Sequence, residues 1–269
     1  GVDGACGEGP NGRKQDYDWE RYYAVIRRLQ PGACISVCGP DVRWCGNEAG
    51  HTRASEWSIV PERMQDTEKI KENSQQEDSE EFRQRAIRAE DEDLGSREAV
   101  RGEKELIWYP AEVNTSIRPG WFYHAAEDDQ VKSLEELIHV YENSVGGNAT
   151  FLLNIPPTPE GLFHERDVER LKELGDYIRN TDRVTLADEA QISTEEDTVT
   201  LRWDSQKAFS RVVLMEDIRR SQRVEEFAVY DGQNRELYHG TVIGYKKIVP
   251  LKGCHADTLI IKILSSRME

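Results

Sequence analysis

The hydrophobic pattern of this 269-residue chain changes near residue 198. Before that point, short apolar runs alternate with segments whose apolar residues recur at helical spacing. After it, the runs favour β-branched and aromatic residues and are separated by turn signals. The first pattern is typical of parallel α/β architectures and the second of all-β domains. We therefore expect an α/β fold followed by an all-β fold, with an α/β part at residues 1–180, a linker at 181–197 and a β-sandwich domain at 198–269.

Local signals place individual elements within the α/β part. Ser133 and Glu136 have the spacing of a capping box at a helix start, and Gly146 and Gly147 are expected to end that helix. The stretch 62–105 is almost entirely charged and polar, so we expect a solvated helical excursion there. Expected helices cover 19–29, 133–145 and 164–178, and expected strands cover 33–38, 106–109, 121–124 and 149–155.

Composition narrows the classes of partner and cofactor. The formal net charge is −16, which does not suit the basic face that nucleic acids or anionic membranes attract. No apolar run reaches the roughly 18 to 20 residues that cross a bilayer, so membrane insertion is not expected. The five cysteines form no CxxC pair and no zinc-finger spacing with His, so the sequence predicts no metal site and indicates no cofactor. Cys34 and Cys38 lie in an apolar run and are expected to be small buried core residues.

Specific strings add to this general pattern. They are VDGACGEGPNG (2–12), CGPDVRWCGNEAG (38–50), SEW (55–57), DLGSR (93–97), WYPAEV (108–113), SIRPGWFYH (116–124), GGNATFLLNI (146–155), VVLMEDI (212–218) and QRV (222–224). In this order they closely resemble segments of glycoside hydrolase family 29 α-L-fucosidases, especially of the branch that acts on α-1,3 and α-1,4 linkages. Several long motifs in one order are far more specific than a lone short motif.

The resemblance implies a fold, an activity and a substrate. The fold is the C-terminal half of a (β/α)8-like barrel plus a β-sandwich, so the chain is expected to be an internal fragment that is inactive alone. The activity is a retaining α-L-fucosidase that hydrolyses terminal α-1,3/1,4-linked L-fucose, without a cofactor, from a fucosylated oligosaccharide or glycoconjugate. The family resemblance also implies an extracellular or periplasmic location. A non-catalytic carbohydrate-binding or interaction module derived from this fold is the alternative.

Two carboxylates are the catalytic candidates that the resemblance implies. A retaining glycosidase uses two carboxyl groups about 5 to 5.5 Å apart. One attacks the anomeric carbon, and the other protonates the leaving oxygen and later activates water. Asp3 is the expected nucleophile and Glu48 the expected acid/base. Glu56 is the rival acid/base, and its other possible role is to orient Arg43 or Arg53 by a charge-assisted hydrogen bond.

Six side chains are expected to bind the substrate. For Arg43 the alternative is a structural ion pair, and for Trp121 and His124 the alternative is packing in the core. The expected substrate-binding residues are Arg43, Trp44, Glu56, Trp57, Trp121 and His124.

Overall fold

The computed structural model describes residues 18–36, 39–65, 93–183 and 185–267. Within these residues the architecture is mixed α/β, with a three-stranded parallel sheet, a two-stranded antiparallel sheet and a large antiparallel sheet of five strands. No helix among the described residues is long and apolar enough to cross a membrane.

The helices and strands are as follows. The α-helices are α1 (Trp19–Leu29), α2 (Leu134–Ser144) and α3 (Glu165–Arg183), and short 3-10 helices lie at Glu62–Gln65, Ala125–Gln130, Leu186–Glu189 and Ile218–Arg220. The strands are β1 (Arg43–Trp44), β2 (Ile59–Pro61), β3 (Leu106–Trp108), β4 (Ala111–Ser116), β5 (Ala149–Asn154), β6 (Gln191–Glu195), β7 (Thr198–Leu214), β8 (Val224–Asp231), β9 (Glu236–Gly240) and β10 (Lys247–Ser266).

The parallel sheet has the strand order β1, β4, β5, and its two faces differ. Side chains alternate between the faces of a strand, so Ala111 and Val113 share one face of β4 with each other but not with Glu112. Ile117 follows β4 and lies on the same face as Val113. It is fully buried and packs with Leu137 of α2 and Leu174 of α3. The two helices therefore cover the apolar face and leave the polar side chains of the sheet on the other.

Helix α2 begins as the sequence predicts. The Ser133 hydroxyl accepts a hydrogen bond from the Glu136 backbone N–H at 3.2 Å, and the Glu136 carboxylate accepts one from the Ser133 backbone N–H at 2.7 Å. This capping box is confirmed, and its hydrogen bonds lower the pKa of Glu136. At the other end a Cβ on Gly146 would lie 2.2 Å from the Glu142 carbonyl oxygen and 2.7 Å from Cβ of Ile248 in β10. Glycine therefore lets the end of α2 approach the five-stranded sheet.

The five-stranded antiparallel sheet has the order β6, β7, β10, β8, β9. The long strand β10 lies in the middle and pairs with β7 on one side and β8 on the other. The apolar core of the five-stranded sheet includes Trp203, Phe209, Phe227, Val249 and Leu259. The change of pattern near residue 198 thus corresponds to a large antiparallel sheet, whose first strand β6 lies inside the range 181–197 that was expected to be a linker.

Three local expectations differ from the structure. Residues 33–36 form no strand, because the chain there is held by side chains: the Ile35 N–H donates to the Asp41 carboxylate at 2.7 Å. Ile35 is buried but Cys34 is exposed, and Cys38 lies outside the described residues. The segment 121–124 is a loop instead of a strand.

The expected strands at 106–109 and 149–155 are confirmed as β3 and β5. Most of the charged stretch, 66–92, lies outside the described residues.

The apolar cluster beneath the parallel sheet can be tested with two matched leucines. Leu137 is fully buried, so Leu137→Ala should lower the free energy of unfolding by about 2 to 5 kcal/mol. Leu162 is 68% exposed, so the same substitution there should change it by less than about 0.5 kcal/mol. Chemical denaturation of both variants measures the difference. Equal destabilisation by the two substitutions would contradict the packing of α2.

Candidate functional site

A row of polar side chains lies on the face of the parallel sheet opposite α2 and α3. We call this surface, formed by Trp44, Glu112, Asn114, Ser116 and Asn154, the polar face. The Trp44 indole N–H donates to the Asn114 side-chain oxygen at 2.8 Å, and the Asn154 amide donates to the Ser116 hydroxyl at 3.1 Å. These bonds tie the three strands together near their carboxyl ends, which is the edge where parallel sheets usually place ligands.

Glu48 lies on the loop that follows β1. Its side chain is exposed, and its carboxylate accepts a hydrogen bond from the Trp121 indole N–H at 3.3 Å. The backbone around it is constrained: the Asn47 side chain accepts from the Ala49 N–H at 2.9 Å and donates to the His51 carbonyl at 3.1 Å. A solvent-accessible carboxylate on a constrained loop can exchange protons with a bound molecule.

Trp121 and His124 belong to the loop that follows β4. The Trp121 carbonyl accepts from the Asn154 amide at 3.0 Å, and 36% of its side chain is exposed. The structure therefore brings Trp121 together with Glu48 and the polar face. His124 is exposed and precedes the 3-10 helix Ala125–Gln130, where its carbonyl accepts from the Glu127 N–H at 2.9 Å.

Arg43 and Glu56 form a buried ion pair. Only 3% of Arg43 and 1% of Glu56 is exposed. One Glu56 oxygen accepts from the Arg43 guanidinium, and the other accepts from the Arg53 backbone N–H at 3.2 Å and its guanidinium at 3.4 Å. Arg43 also donates to the Tyr109 carbonyl at 3.0 Å and the Trp57 carbonyl at 2.8 Å. Both oxygens of Glu56 are thus held inside the protein.

Trp57 is buried in the interior of the protein. It packs in an apolar cluster with Val60, Tyr109 and Val242, the last of which lies beyond β9. The guanidinium of Arg267 stands 3.5 Å from the centre of its ring, a cation–π contact. The structure therefore places Trp57 in the contact between the α/β part and the five-stranded sheet.

A buried arginine holds the Trp121 loop, and the sequence analysis did not single it out. Arg118 is fully buried and donates to both carboxylate oxygens of Asp167 at 3.0 and 3.1 Å and to Asp128 at 2.9 Å. Its guanidinium lies 4.8 Å from the centre of the Tyr123 ring. Although burial acts to raise it, hydrogen bonding to Arg118 and the charge of His164 hold the pKa of Asp128 below its ordinary value. The only sequence signal was the place of Arg118 within the string 116–124.

The described residues do not include the expected nucleophile. Asp3 lies outside the described residues, so the structure gives no distance between its carboxylate and that of Glu48. Among the residues that the structure describes, no group of three His, Cys, Asp or Glu side chains could hold a metal ion.

Comparison with known proteins shows the family of the chain. The sequence model of a family described as "Alpha-L-fucosidase" matches residues 12–182. The chain belongs to the alpha-L-fucosidase family. It is similar to Alpha-L-fucosidase 1 of Arabidopsis thaliana, with 33% identity over 217 residues that cover 80% of this chain and 37% of the relative.

Solved structures of similar fold support the same family. A protein from Bacteroides ovatus, described as a "putative alpha-L-fucosidase", shares 41% identity with a TM-score of 0.80, and the match covers 99% of this chain and 45% of that protein. A glycoside hydrolase 29 family member from an unknown rumen bacterium shares 31% identity with a TM-score of 0.74 over 99% of this chain and 48% of its own. The chain therefore spans less than half the length of each of these three relatives.

Stability measurements should separate the two glutamates. Glu56→Ala leaves the Arg43 guanidinium buried without its partner, and we expect it to lower the free energy of unfolding by about 3 to 5 kcal/mol. Glu48 is exposed, so Glu48→Ala should change that free energy by less than about 0.5 kcal/mol. Denaturant unfolding of both variants at pH 7 measures the contrast. A Glu56→Ala protein as stable as the wild type would show that the ion pair has no structural role.

Proposed function

We propose that this chain carries the acid/base and part of the substrate-binding surface of a retaining α-L-fucosidase, which hydrolyses terminal α-1,3/1,4-linked L-fucose from fucosylated glycans. The observation that supports this most directly is the pairing of an exposed carboxylate, Glu48, with the Trp121 indole beside the polar face, in a chain of the alpha-L-fucosidase family. Carboxylates and aromatic rings are the groups with which glycosidases handle a sugar ring.

The proposed reaction is a double displacement. The Asp3 carboxylate attacks the anomeric carbon of fucose, and the Glu48 carboxyl gives its proton to the oxygen of the departing glycan. Glu48, now ionised, then takes a proton from a water molecule, whose oxygen attacks the same carbon and releases Asp3. Two inversions give fucose with the configuration of the substrate.

Glu48 suits the acid/base role better than Glu56. An acid/base must reach the glycosidic oxygen and must change its protonation state during each cycle. Glu48 is exposed, and its carboxylate accepts a hydrogen bond from the Trp121 indole, which it can exchange for a ligand. Glu56 is enclosed, and protonating it would break the charge-assisted bonds to Arg43 and Arg53.

The remaining site residues divide by exposure. We propose that Trp44, Trp121 and His124 contact the fucose ring or its hydroxyl groups, because they lie on the polar face or in the loop beside it. Arg43 and Trp57 are each no more than 3% exposed, so we propose that they support the loop bearing Glu48 from inside. Glu56 acts with Arg43 in the same way.

The dependence of rate on the leaving group tests the role of Glu48. Glu48→Ala should lose most activity on natural fucosides, by about 10² to 10⁴-fold, because their leaving oxygen needs a proton. An activated aryl fucoside needs little protonation, so its glycosylation step should be largely kept, and added azide should raise turnover by replacing the base-assisted water. Steady-state and pre-steady-state kinetics with both substrate types measure this.

Glu56→Ala is the matched control for that experiment. It should lower activity on natural and activated fucosides alike, in line with its loss of stability, and azide should not help. If Glu56→Ala shows the leaving-group pattern and Glu48→Ala does not, the two roles must be exchanged.

We also propose that residues 1–269 alone release no measurable fucose. The chain covers 45% of the Bacteroides ovatus relative, and positioning of a substrate can contribute roughly 7 to 11 kcal/mol to lowering a barrier. A chain extended by the N-terminal half of the barrel should be active. Incubation of both proteins with an aryl α-L-fucoside tests this. Release of fucose by the 269-residue protein, abolished by Asp3→Ala, would prove the proposal wrong.

A further inference from the structure

One glutamine of the antiparallel-sheet part reaches into the loop that bears Glu48. Gln222 lies two residues before the start of β8 and is 1% exposed. Its side-chain oxygen accepts from the Ser58 backbone N–H at 2.8 Å, and its amide nitrogen donates to the Glu56 carbonyl at 3.2 Å. Gln222 therefore pairs with the main chain at the end of the loop 45–58 in the manner of a neighbouring strand.

The end of the loop is in turn tied to its beginning. The Glu56 carboxylate accepts from the Arg53 guanidinium, which also donates to the Cys45 carbonyl at 2.7 Å. Cys45 directly follows β1, so these bonds close the loop 45–58 into a ring with Glu48 on its exposed side. The position of Glu48 consequently depends on where residues 56–58 are held.

A second side chain braces the same point from the parallel sheet. The Asn148 amide donates to the Glu56 carbonyl at 2.9 Å and to the Gln222 side-chain oxygen at 3.3 Å. Its own oxygen accepts from the Tyr245 N–H at 2.7 Å. Buried amides that are satisfied in this way fix geometry, because each displaced group leaves a donor or acceptor without a partner.

We propose that Gln222 is a positioning residue for the acid/base Glu48. Gln222 fixes residues 56–58 by hydrogen bonds, and Glu56 in turn fixes the closed loop 45–58 through Arg53. The position of this loop determines the distance from Glu48 to the leaving oxygen. This inference rests on the proposed function, and it gives the five-stranded sheet a part in the reaction. Proton transfer requires hydrogen-bond distance, so a small shift of the loop weakens the acid more than it weakens other steps.

Gln222→Met tests this by keeping the shape of the side chain and removing its hydrogen bonds. The variant is made in the chain extended by the N-terminal half of the barrel. There, kcat/KM for fucosides with unactivated leaving groups should fall about tenfold or more. For an activated aryl fucoside it should fall less than about threefold, because that leaving group needs little protonation. Loss of folded protein alone would lower both values equally. Gln233→Met, in the exposed turn after β8, is the control and should change neither.

Combining Gln222→Met with Glu48→Ala decides whether Gln222 acts through Glu48. With the acid removed, adding Gln222→Met should lower kcat/KM for unactivated fucosides less than about twofold further, instead of the tenfold of the single variant. Equal losses on both substrates, or additive losses in the double variant, overturn the proposal. If Gln222→Met does not fold, Gln222→Asn replaces it, because it keeps an uncharged amide but shortens the side chain by one methylene and so withdraws it from Ser58 and Glu56. A Glu48→Ala enzyme without leaving-group dependence would instead refute the proposed function, independently of Gln222.

Discussion

The buried ion pair between Arg43 and Glu56 is the interaction on which the rest of the described structure depends. Arg43 lies in the first strand of the parallel sheet, and its guanidinium reaches the carbonyl groups of Tyr109 and Trp57 as well as the Glu56 carboxylate. One side chain thus joins three parts of the chain that are distant in sequence. Two charges inside a protein are costly to desolvate, and here hydrogen bonds to both Glu56 oxygens and from Arg43 to two carbonyl groups offset that cost.

The order of the surrounding parts follows from this pair. The Tyr109 N–H donates to the Ser58 carbonyl at 2.7 Å, which continues the pairing of β2 with β3 towards the loop 45–58. Trp57 and Val60, on either side of that contact, are buried against Val242 from the second part of the chain. The ion pair therefore lies where the parallel sheet, the two-stranded sheet and the second part of the chain meet. The exposed Glu48 lies on the loop 45–58, which ends at this junction.

Local chemistry in the sequence predicted the elements whose formation is itself local. The capping box of Ser133 depends on a residue three positions away, and β5 was marked by its own short apolar run, although the strand is held by pairing with β4. Both were therefore predicted correctly. The loop at 121–124 was mistaken for a strand because its shape depends on Asn154, 33 residues away from the carbonyl of Trp121. The role of Gln222 could not be predicted, because its partner Ser58 is 164 positions distant and the only sequence signal was its place in the string 222–224.

The order of strands in the antiparallel sheet has a consequence for how the protein comes to be folded during synthesis. β7 and β8 do not pair with each other; each pairs with β10, which emerges from the ribosome after both of them. Until residues 247–266 have been synthesised, the edges of β7 and β8 that pair with β10 have no partner strand. Unpaired strand edges favour misassembly and are protected by chaperones. Arg267, which stacks on Trp57, follows β10 directly, so this contact can form only after β10 has been synthesised. The loop bearing Glu48 is therefore synthesised before the residues that hold it in place.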